Sequence, residues 1–175
     1  VLVDGDLRRG QLHRRFSMER HNGMADYLSG DAGIDQILKN TLIPGLDIVS
    51  SGARRANAPE LLCTQHMLRL MDELRARYDV VICDSPPLAA GIDAAVLGAA
   101  SGNLLLVVRT GVSVREVAAA KLETVARLPI RVLGAVLNDV PKGAVYSYYA
   151  HYSLPGYAAS DERAVARAYE SAGRA

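Results

Sequence analysis

The sequence has few of the residues that mark disulfide-bonded or zinc-binding proteins. Of 175 residues, two are cysteines and four are histidines, and tryptophan is absent. Cys63 and Cys83 form neither a CxxC pair nor a disulfide framework, and the histidines show no zinc-ligand spacing. No run approaches about eighteen consecutive uncharged apolar residues, which excludes a transmembrane helix from these 175 residues. The scarcity of cysteine is typical of proteins in a reducing compartment.

An excess of charge of one sign is also lacking. Twenty basic and nineteen acidic residues give a net charge of +1, so the chain offers no broad basic surface to nucleic acid. The arginine-rich segment 8–20 contains Phe16 as its single aromatic residue, and we expect a short helix with solvated arginines there. Because a G-x-S-x-G turn is missing, a hydrolase triad has no support. From the balanced charge and the single aromatic residue in segment 8–20, we predict no nucleic-acid partner.

Short apolar runs alternate with segments of helical periodicity. The runs predict strands at 1–4, 46–49, 79–84, 103–109 and 131–138. Apolar residues spaced three or four apart predict helices over 59–78 and 113–125. The pattern predicts an α/β, doubly wound, mostly parallel sheet with helices on both faces, and the last three runs are continuous enough to be covered on both sides. An α+β domain with a mixed sheet stays open as the alternative.

Carboxylates follow two of these predicted strands. Asp4 and Asp6 come directly after the first run, and Asp84 ends the third. In a doubly wound sheet the carboxyl ends of the strands line one crevice, so we expect these side chains to converge there. Converging carboxylates repel one another unless a cation neutralises them, and Mg²⁺ shared with a substrate phosphate is a common solution. The alternative for each aspartate is a turn former or a helix N-cap.

These segments resemble a known family. VLVDGDLRRG resembles the Walker A′ motif of the bacterial protein-tyrosine kinases, the autokinases that accompany capsule and exopolysaccharide export, and VVICDSPP resembles their Walker B motif. ANAPELL, NLLLVVRTGVSVREV, RVLGAVLNDV and a C-terminal tyrosine cluster extend the resemblance over about residues 1–157. The resemblance implies a P-loop NTPase fold of the branch shared with septum- and plasmid-positioning ATPases.

The resemblance also implies the cofactors and the site. ATP and Mg²⁺ are the expected cofactors, with Asp4, Asp6 and Asp84 at the metal and Asp4 placed to assist an attacking tyrosine hydroxyl. Arg8 is expected to contact phosphate or a neighbouring subunit, and Asn138 to contact the adenine. The predicted catalytic residues are thus the three aspartates and Arg8.

The domain organisation follows from the same comparison. Residues 1–145 are expected to be a nucleotide-binding kinase domain and 146–175 a flexible, tyrosine-rich tail. The loop G-x-x-x-x-G-K-[ST] is absent from the sequence. We expect this loop and its strand to lie upstream, so that the chain by itself binds ATP poorly and phosphorylates little.

The tail supplies the predicted phosphoacceptors. They are Tyr146, Tyr148, Tyr149, Tyr152 and Tyr157. Each phosphate would add roughly −1.5 to −2 charge, and a multiply modified tail would then repel its neighbours and dissociate a ring of subunits. A packed strand over 146–152 is the alternative, because tyrosine favours strands.

Partners and location are further implications of the resemblance. They comprise self-association into a ring through trans-autophosphorylation, a transmembrane polysaccharide chain-length regulator (fused or separate) and a cognate tyrosine phosphatase, at the cytoplasmic face of the bacterial plasma membrane. Two other functions remain open. One is a positioning ATPase of the same fold, and the other is a non-catalytic assembly partner.

Overall fold

The computed structural model describes residues 1–55 and 57–141. In chain order its elements are β1 (Leu2–Asp4), α1 (Leu12–Arg15), α2 (Met24–Leu28), α3 (Ile34–Ile37), β2 (Leu38–Asn40), β3 (Asp47–Val49), α4 (Ala58–Leu62), α5 (Gln65–Arg77), β4 (Ile82–Asp84), a 3₁₀ turn (Leu88–Ala90), α6 (Asp93–Ser101), β5 (Asn103–Arg109), α7 (Arg115–Val125) and β6 (Arg131–Asn138). Among the described residues, no helix combines the length and the apolar character that crossing a membrane requires.

Four strands form the main sheet in the order β2-β3-β1-β4. β1 runs parallel to both β3 and β4, whereas β2 is antiparallel to β3. The predicted α/β class with a mostly parallel sheet is confirmed. Strand β2 is absent from the sequence-based prediction, because Lys39 and Asn40 have low strand propensity. It follows α3 directly and pairs with β3, where Asn40 Nδ2 donates to Asp47 Oδ1 at 2.8 Å.

Strands β5 and β6 form a separate two-stranded sheet. Arg131 N donates to Gly102 O at the start of the pair (2.9 Å) and Thr110 N to Asn138 O at its end (3.0 Å), so the two strands run in the same direction. All residues of β6 are exposed, and β5 is exposed at alternate residues. The prediction that the last three runs are covered on both faces is therefore wrong for the described residues. No described element covers β6, and Val80 and Ile82 of the third run are 62% and 58% exposed.

Helices α2 to α6 supply much of the core beside the main sheet. The face of α5 that consists of Met67, Leu70, Met71 and Leu74 is buried, as its periodicity predicts. The single helix predicted over 59–78 is instead α4 and α5. The chain breaks between them because Thr64 is extended (φ −87°, ψ 161°) and its hydroxyl donates to Leu61 O at 2.7 Å.

Two phenols fasten α5 to its neighbours. Tyr78 donates to Asp47 Oδ2 at 2.6 Å, and Tyr27 of α2 donates to Glu73 Oε1 at 2.8 Å. Burial, followed by the adjacent carboxylate, raises the pKa of each of these tyrosines to about 12. Both hydroxyls are therefore committed to hydrogen bonds that hold α5 in place.

Two predicted helices are shorter or less buried than expected. The arginine-rich segment contains α1, a single turn with no buried residue. Helix α7 starts at Arg115, and Val125 is its one buried residue, whereas Val114 and Val117 of the predicted apolar stripe are 56% and 44% exposed. Apolar periodicity predicted the helix but not a covering surface.

The chain divides into a larger unit, 1–108 and 112–136, and a smaller unit, 109–111 and 137–175. The described part of the smaller unit contains an ion pair between Arg109 and Asp139 at 2.8 Å. Residues 142–175 lie outside the described residues, so the predicted boundary at 145 and the predicted tail stay predictions.

The packing of α5 predicts an asymmetric response to truncation on its two faces. Leu74 is fully buried and Leu68 is 46% exposed. Leu74→Ala should lower the free energy of unfolding by about 2–5 kcal/mol, since it removes buried methyl groups and leaves a cavity. Leu68→Ala, the matched control on the same helix, should change it by less than about 1 kcal/mol. Urea unfolding of both variants measures this, and equal losses would contradict the helix orientation.

Candidate functional site

Two acidic strand ends lie side by side in the main sheet. β1 and β4 pair in parallel, with Leu2 opposite Ile82 and Asp4 opposite Asp84. Neighbouring strands are about 4.8 Å apart, so parallel pairing brings both aspartates to the same edge of the sheet. The geometric expectation from the sequence, that both strand ends face one crevice, agrees with this pairing.

Gly5 allows the two strand ends to approach closely. Its N–H donates to Asp84 O at 2.8 Å. A Cβ atom at this position would lie 2.6 Å from Asp84 O and 2.8 Å from both Cys83 Sγ and Leu97 Cδ1. Since two of these neighbours are in β4, any side chain at position 5 would push β4 away from β1.

Asp4 is fully buried, which is unusual for a carboxyl group. Its Oδ2 accepts a hydrogen bond from Leu12 N at 3.1 Å, while Oδ1 has no hydrogen-bond partner among the described residues. Burial raises the pKa of Asp4 to about 6, the charges of Asp84 and Asp6 add to the rise, and the Leu12 N–H opposes it. The group is a buried acid with one oxygen unsatisfied.

Ser51 lies beside this carboxyl group. A Cβ atom on Gly10 would lie 2.5 Å from both Asp4 Oδ2 and Ser51 Oγ, so the glycine leaves room for both. Ser51 is fully buried, and its hydroxyl likewise lacks a hydrogen-bond partner among the described residues. Sequence reasoning missed Ser51, since a serine after a short strand gives no distinguishing signal.

Asp6 shapes the loop that follows β1. Its Oδ1 accepts from Arg8 N at 3.1 Å and from Arg9 N at 2.7 Å, and its backbone O accepts from Gly10 N at 2.7 Å. This is the local side-chain-to-backbone pattern by which aspartate stabilises turns. One carboxylate oxygen therefore has a structural role, and Oδ2 is not used in it.

Asp84 is more exposed than Asp4. Desolvation raises its pKa, the charge of Asp6 adds to the rise, and the backbone N–H of Ser85 and the charge of Arg15 oppose it. Asp4, Asp6 and Asp84 thus influence one another electrostatically. Within the described residues, however, no group of three or more histidine, cysteine, aspartate or glutamate side chains is arranged to enclose a metal ion.

Arg8 lies beside this acidic edge. Its Nε donates to Asp93 Oδ2 at 3.1 Å, and its backbone N–H is held by Asp6. Together with Asp6 and Arg9, it lines a pocket of about 310 Å³ whose other wall is formed by Pro86, Pro87 and Ala90. The pocket lies between the loops that follow β1 and β4. Asp93 is a functional candidate that the sequence reasoning missed.

A second pocket, of about 380 Å³, lies at the other end of the strands. Val1, Leu2, Tyr78 and Val80 line it. In parallel sheets, ligands bind at the carboxyl ends of the strands, so the smaller pocket beside Asp6 is the better candidate.

The remaining predicted residues lie elsewhere in the chain. Asn138 ends β6 in the smaller unit, where its backbone O accepts from Thr110 N at 3.0 Å and its Oδ1 from Asp139 N at 2.9 Å. Its proposed contact with adenine stays a prediction. The predicted acceptors Tyr146, Tyr148, Tyr149, Tyr152 and Tyr157 lie outside the described residues.

No known protein-family profile matches the chain. Three curated relatives are similar in sequence. EpsB of Ralstonia nicotianae, named as a candidate tyrosine-protein kinase, is 36% identical over 158 residues, which are 90% of this chain and 21% of EpsB. A Klebsiella pneumoniae protein, named as a candidate tyrosine-protein kinase in the cps region, is 34% identical over a segment that covers 85% of this chain and 20% of the Klebsiella protein. The tyrosine-protein kinase Etk of Escherichia coli is 33% identical over 85% of this chain and 21% of Etk. The chain thus spans about a fifth of the length of these relatives.

Solved structures extend the similarity to the fold. The kinase domain of Escherichia coli Etk superposes with a TM-score of 0.77 at 33% identity, over 81% of this chain and 55% of that domain. The septum site-determining protein MinD of Pyrococcus horikoshii, solved with Mg-ADP, has a TM-score of 0.63 at 21% identity, over 83% of this chain and 63% of MinD. The second similarity concerns the fold alone. The chain is therefore a homologue of the bacterial tyrosine-protein kinases and has the P-loop NTPase-like fold of their kinase domains.

Proposed function

We propose that this chain is part of an ATP-dependent protein-tyrosine autokinase of capsular or exopolysaccharide biosynthesis, which transfers the γ-phosphate of ATP to tail tyrosines of a neighbouring copy. The observation that carries the proposal is the parallel pairing that sets Asp4 beside Asp84 at the carboxyl end of the sheet. The names of the relatives support the reaction class, and the cps-region relative supports the biological setting.

The residues at this edge fit a magnesium ion. A fully buried carboxyl oxygen without a partner is costly, and a cation or a water molecule beside it would lower that cost. Asp4 Oδ1 is such an atom, and Asp6 and Asp84 add negative charge nearby. Mg²⁺ usually binds one or two carboxylates and completes its shell with water and phosphate oxygens, so an enclosing cluster of three ligands is not required. One or two of Asp4, Asp6 and Asp84 would bind the ion directly and the rest would hold it through water, and the bound ion would neutralise negative charge on the phosphates.

The chain's own groups would then position the reactants. Asp4 would accept a hydrogen bond from the attacking tyrosine hydroxyl, whose ordinary pKa of about 10 makes it a poor nucleophile without such help. Arg8 would donate to a phosphate oxygen from the pocket wall that it forms with Asp6. Phosphoryl transfer depends on positioning and electrostatic stabilisation more than on covalent chemistry by the protein, and these groups suit that demand.

The proposal extends to partners and location. Acceptors on a tail favour transfer between copies, so we infer self-association into a ring, reversed by tail phosphorylation and restored by a cognate tyrosine phosphatase. A transmembrane chain-length regulator, fused or separate, would hold the ring at the cytoplasmic face of the plasma membrane. Asn138 would contact the adenine.

Transfer between copies can be tested by complementation. Asp84→Asn should lower autophosphorylation of the intact protein to roughly a hundredth or less, since it weakens the hold on the cation that would neutralise the phosphates. A variant with the five predicted acceptors changed to Phe keeps the site but lacks its acceptors. Each variant alone should stay unphosphorylated, and their mixture with ATP and Mg²⁺ should become phosphotyrosine-positive on the Asp84→Asn chain.

Tyr169→Phe is the control, because it removes a tail tyrosine outside the five predicted acceptors. If the mixture stays unlabelled although the wild type is labelled, transfer occurs within one copy. Release of inorganic phosphate without any phosphotyrosine in the wild type would identify a positioning-type ATPase instead and refute the kinase.

The buried acid predicts a pH dependence of stability. The pKa of Asp4 rises from 3.8 to about 6 on folding, so between these values the unfolded chain has released a proton that the folded chain retains. This group therefore costs no stability below pH 4, and its cost grows as the pH rises to about 6, reaching up to about 3 kcal/mol. Asp4→Asn removes that cost, and its stability relative to wild type should rise between pH 4 and 7.

Urea unfolding at pH 4, 5, 6 and 7 measures the difference, with Asp72→Asn on the exposed side of α5 as the control. Addition of Mg²⁺ at pH 7 should stabilise the wild type more than Asp4→Asn, because the ion offsets the buried charge. A stability difference between Asp4→Asn and wild type that does not change with pH would contradict the burial of an ionising Asp4.

A further inference from the structure

One ion pair connects the loop after β1 with the start of α6, which follows β4. Arg8 Nε donates to Asp93 Oδ2 at 3.1 Å, across 85 positions of the sequence. The side chain of Asp93 is 8% exposed, whereas that of Arg8 is 55% exposed. The carboxylate of Asp93 is thus fixed within the fold, and the guanidinium of Arg8 extends from it toward solvent.

The N-terminus of α6 favours an acidic residue in its first turn, where Asp93 lies, but it does not account for the burial of this side chain. Ile92 occupies the N-cap position of α6, and no side chain caps the helix there. The favourable interaction of a negative charge with a helix N-terminus needs no burial. Asp93 is nevertheless buried, and its Oδ1 has no hydrogen-bond partner among the described residues. A buried carboxylate with an unpaired oxygen lowers the stability of the fold unless a further interaction offsets the cost.

Arg8 is consequently held at two points. Asp6 Oδ1 accepts from its backbone N–H, and Asp93 accepts from Nε of its guanidinium. Because the hydrogen bond to Asp93 is made by Nε, both Nη groups remain available as donors to a second anion. Arg8 also lines the 310 Å³ pocket beside Asp6 and Arg9. Two arginines on the wall of a pocket next to an acidic edge suit an anionic ligand such as a phosphate group.

We propose that Asp93 is a positioning residue that aligns the Arg8 guanidinium so that its Nη groups donate to a phosphate oxygen of the nucleotide. This inference rests on the proposed function only in taking the ligand of Arg8 to be a nucleotide phosphate. The ion pair also joins the loop after β1 to the segment after β4, and it thereby holds the two walls of the pocket at a fixed distance from each other. Free Arg8 would sample many rotamers, and the pairing removes that entropic cost before the ligand binds.

A double-mutant cycle on nucleotide binding tests this role. Binding of ATP with Mg²⁺ to the intact protein is measured by titration calorimetry for wild type, Arg8→Ala, Asp93→Asn and the double variant. Arg8→Ala and Asp93→Asn should each weaken binding by roughly tenfold, and the double variant should be no weaker than Arg8→Ala. Asp72→Asn is the matched control, since it breaks the exposed pair with Arg75 (3.3 Å) on α5 and should leave affinity unchanged.

Melting temperatures of the same variants separate positioning from a merely structural role. A structural role predicts a lower melting temperature for Asp93→Asn without coupling to Arg8 in the binding data, and that result overturns the inference. Unchanged affinity in Arg8→Ala overturns it as well. If Asp93→Asn does not fold, Arg8→Lys carries the test. The lysine ammonium places all its donors on one nitrogen, so it cannot keep the fixed geometry by which Nε faces Asp93 while the Nη groups face phosphate. Arg8→Lys should therefore bind clearly more weakly than wild type, and wild-type affinity would overturn the inference.

The two proposals fail in distinguishable ways. If wild type forms phosphotyrosine while the Arg8 and Asp93 effects on ATP affinity simply add, the kinase stands and the positioning role is wrong. If binding shows the expected coupling but no phosphotyrosine forms, Asp93 positions Arg8 at the nucleotide of a protein that is not a tyrosine kinase.

Discussion

The in-register, parallel pairing of β1 with β4 is the constraint on which the site depends. It brings two strands that are about eighty residues apart in the chain to one edge, with Asp4 opposite Asp84. The approach is close enough that position 5 admits only glycine, because a Cβ atom would lie 2.6 Å from the backbone of the neighbouring strand. The Asp-Gly-Asp sequence thus joins two acids with the one residue that lets the strands meet.

The same pairing sets the electrostatic character of the site. Asp4 is buried because its strand lies between β3 and β4 in the sheet, and burial is the main reason that its pKa rises to about 6. Such a group lowers the stability of the fold, and proteins retain it where a ligand or a reaction uses it. Ser51 and Asp93 repeat the pattern, since each is buried with a polar atom that has no partner among the described residues.

Much of the fold follows from local patterns in the sequence, and where the prediction from these patterns was wrong, the reasons are physical. Five apolar runs predicted five strands, because β-branched and leucine-rich segments favour pleated, buried surfaces. The break at Thr64 and the short strand β2 depend on particular hydrogen bonds that periodicity does not encode. Apolar character also predicted coverage of β6, and yet its residues are exposed, since a residue's hydrophobicity says that it favours burial and not which surface will cover it.

The sequence by itself determined which chemistry is present: acids at the ends of two strands, an arginine two residues beyond Asp6, and the motifs that these residues form. Only the tertiary structure decided which of these groups interact, because contacts between residues 85 positions apart, such as Arg8 with Asp93, arise from strand pairing and helix packing and leave no spacing in the sequence. Burial is likewise decided in three dimensions. Asp4 and Asp84 both end an apolar run, yet Asp4 is buried and Asp84 is exposed. The reason is that β1 lies inside the four-stranded sheet and β4 lies at its edge.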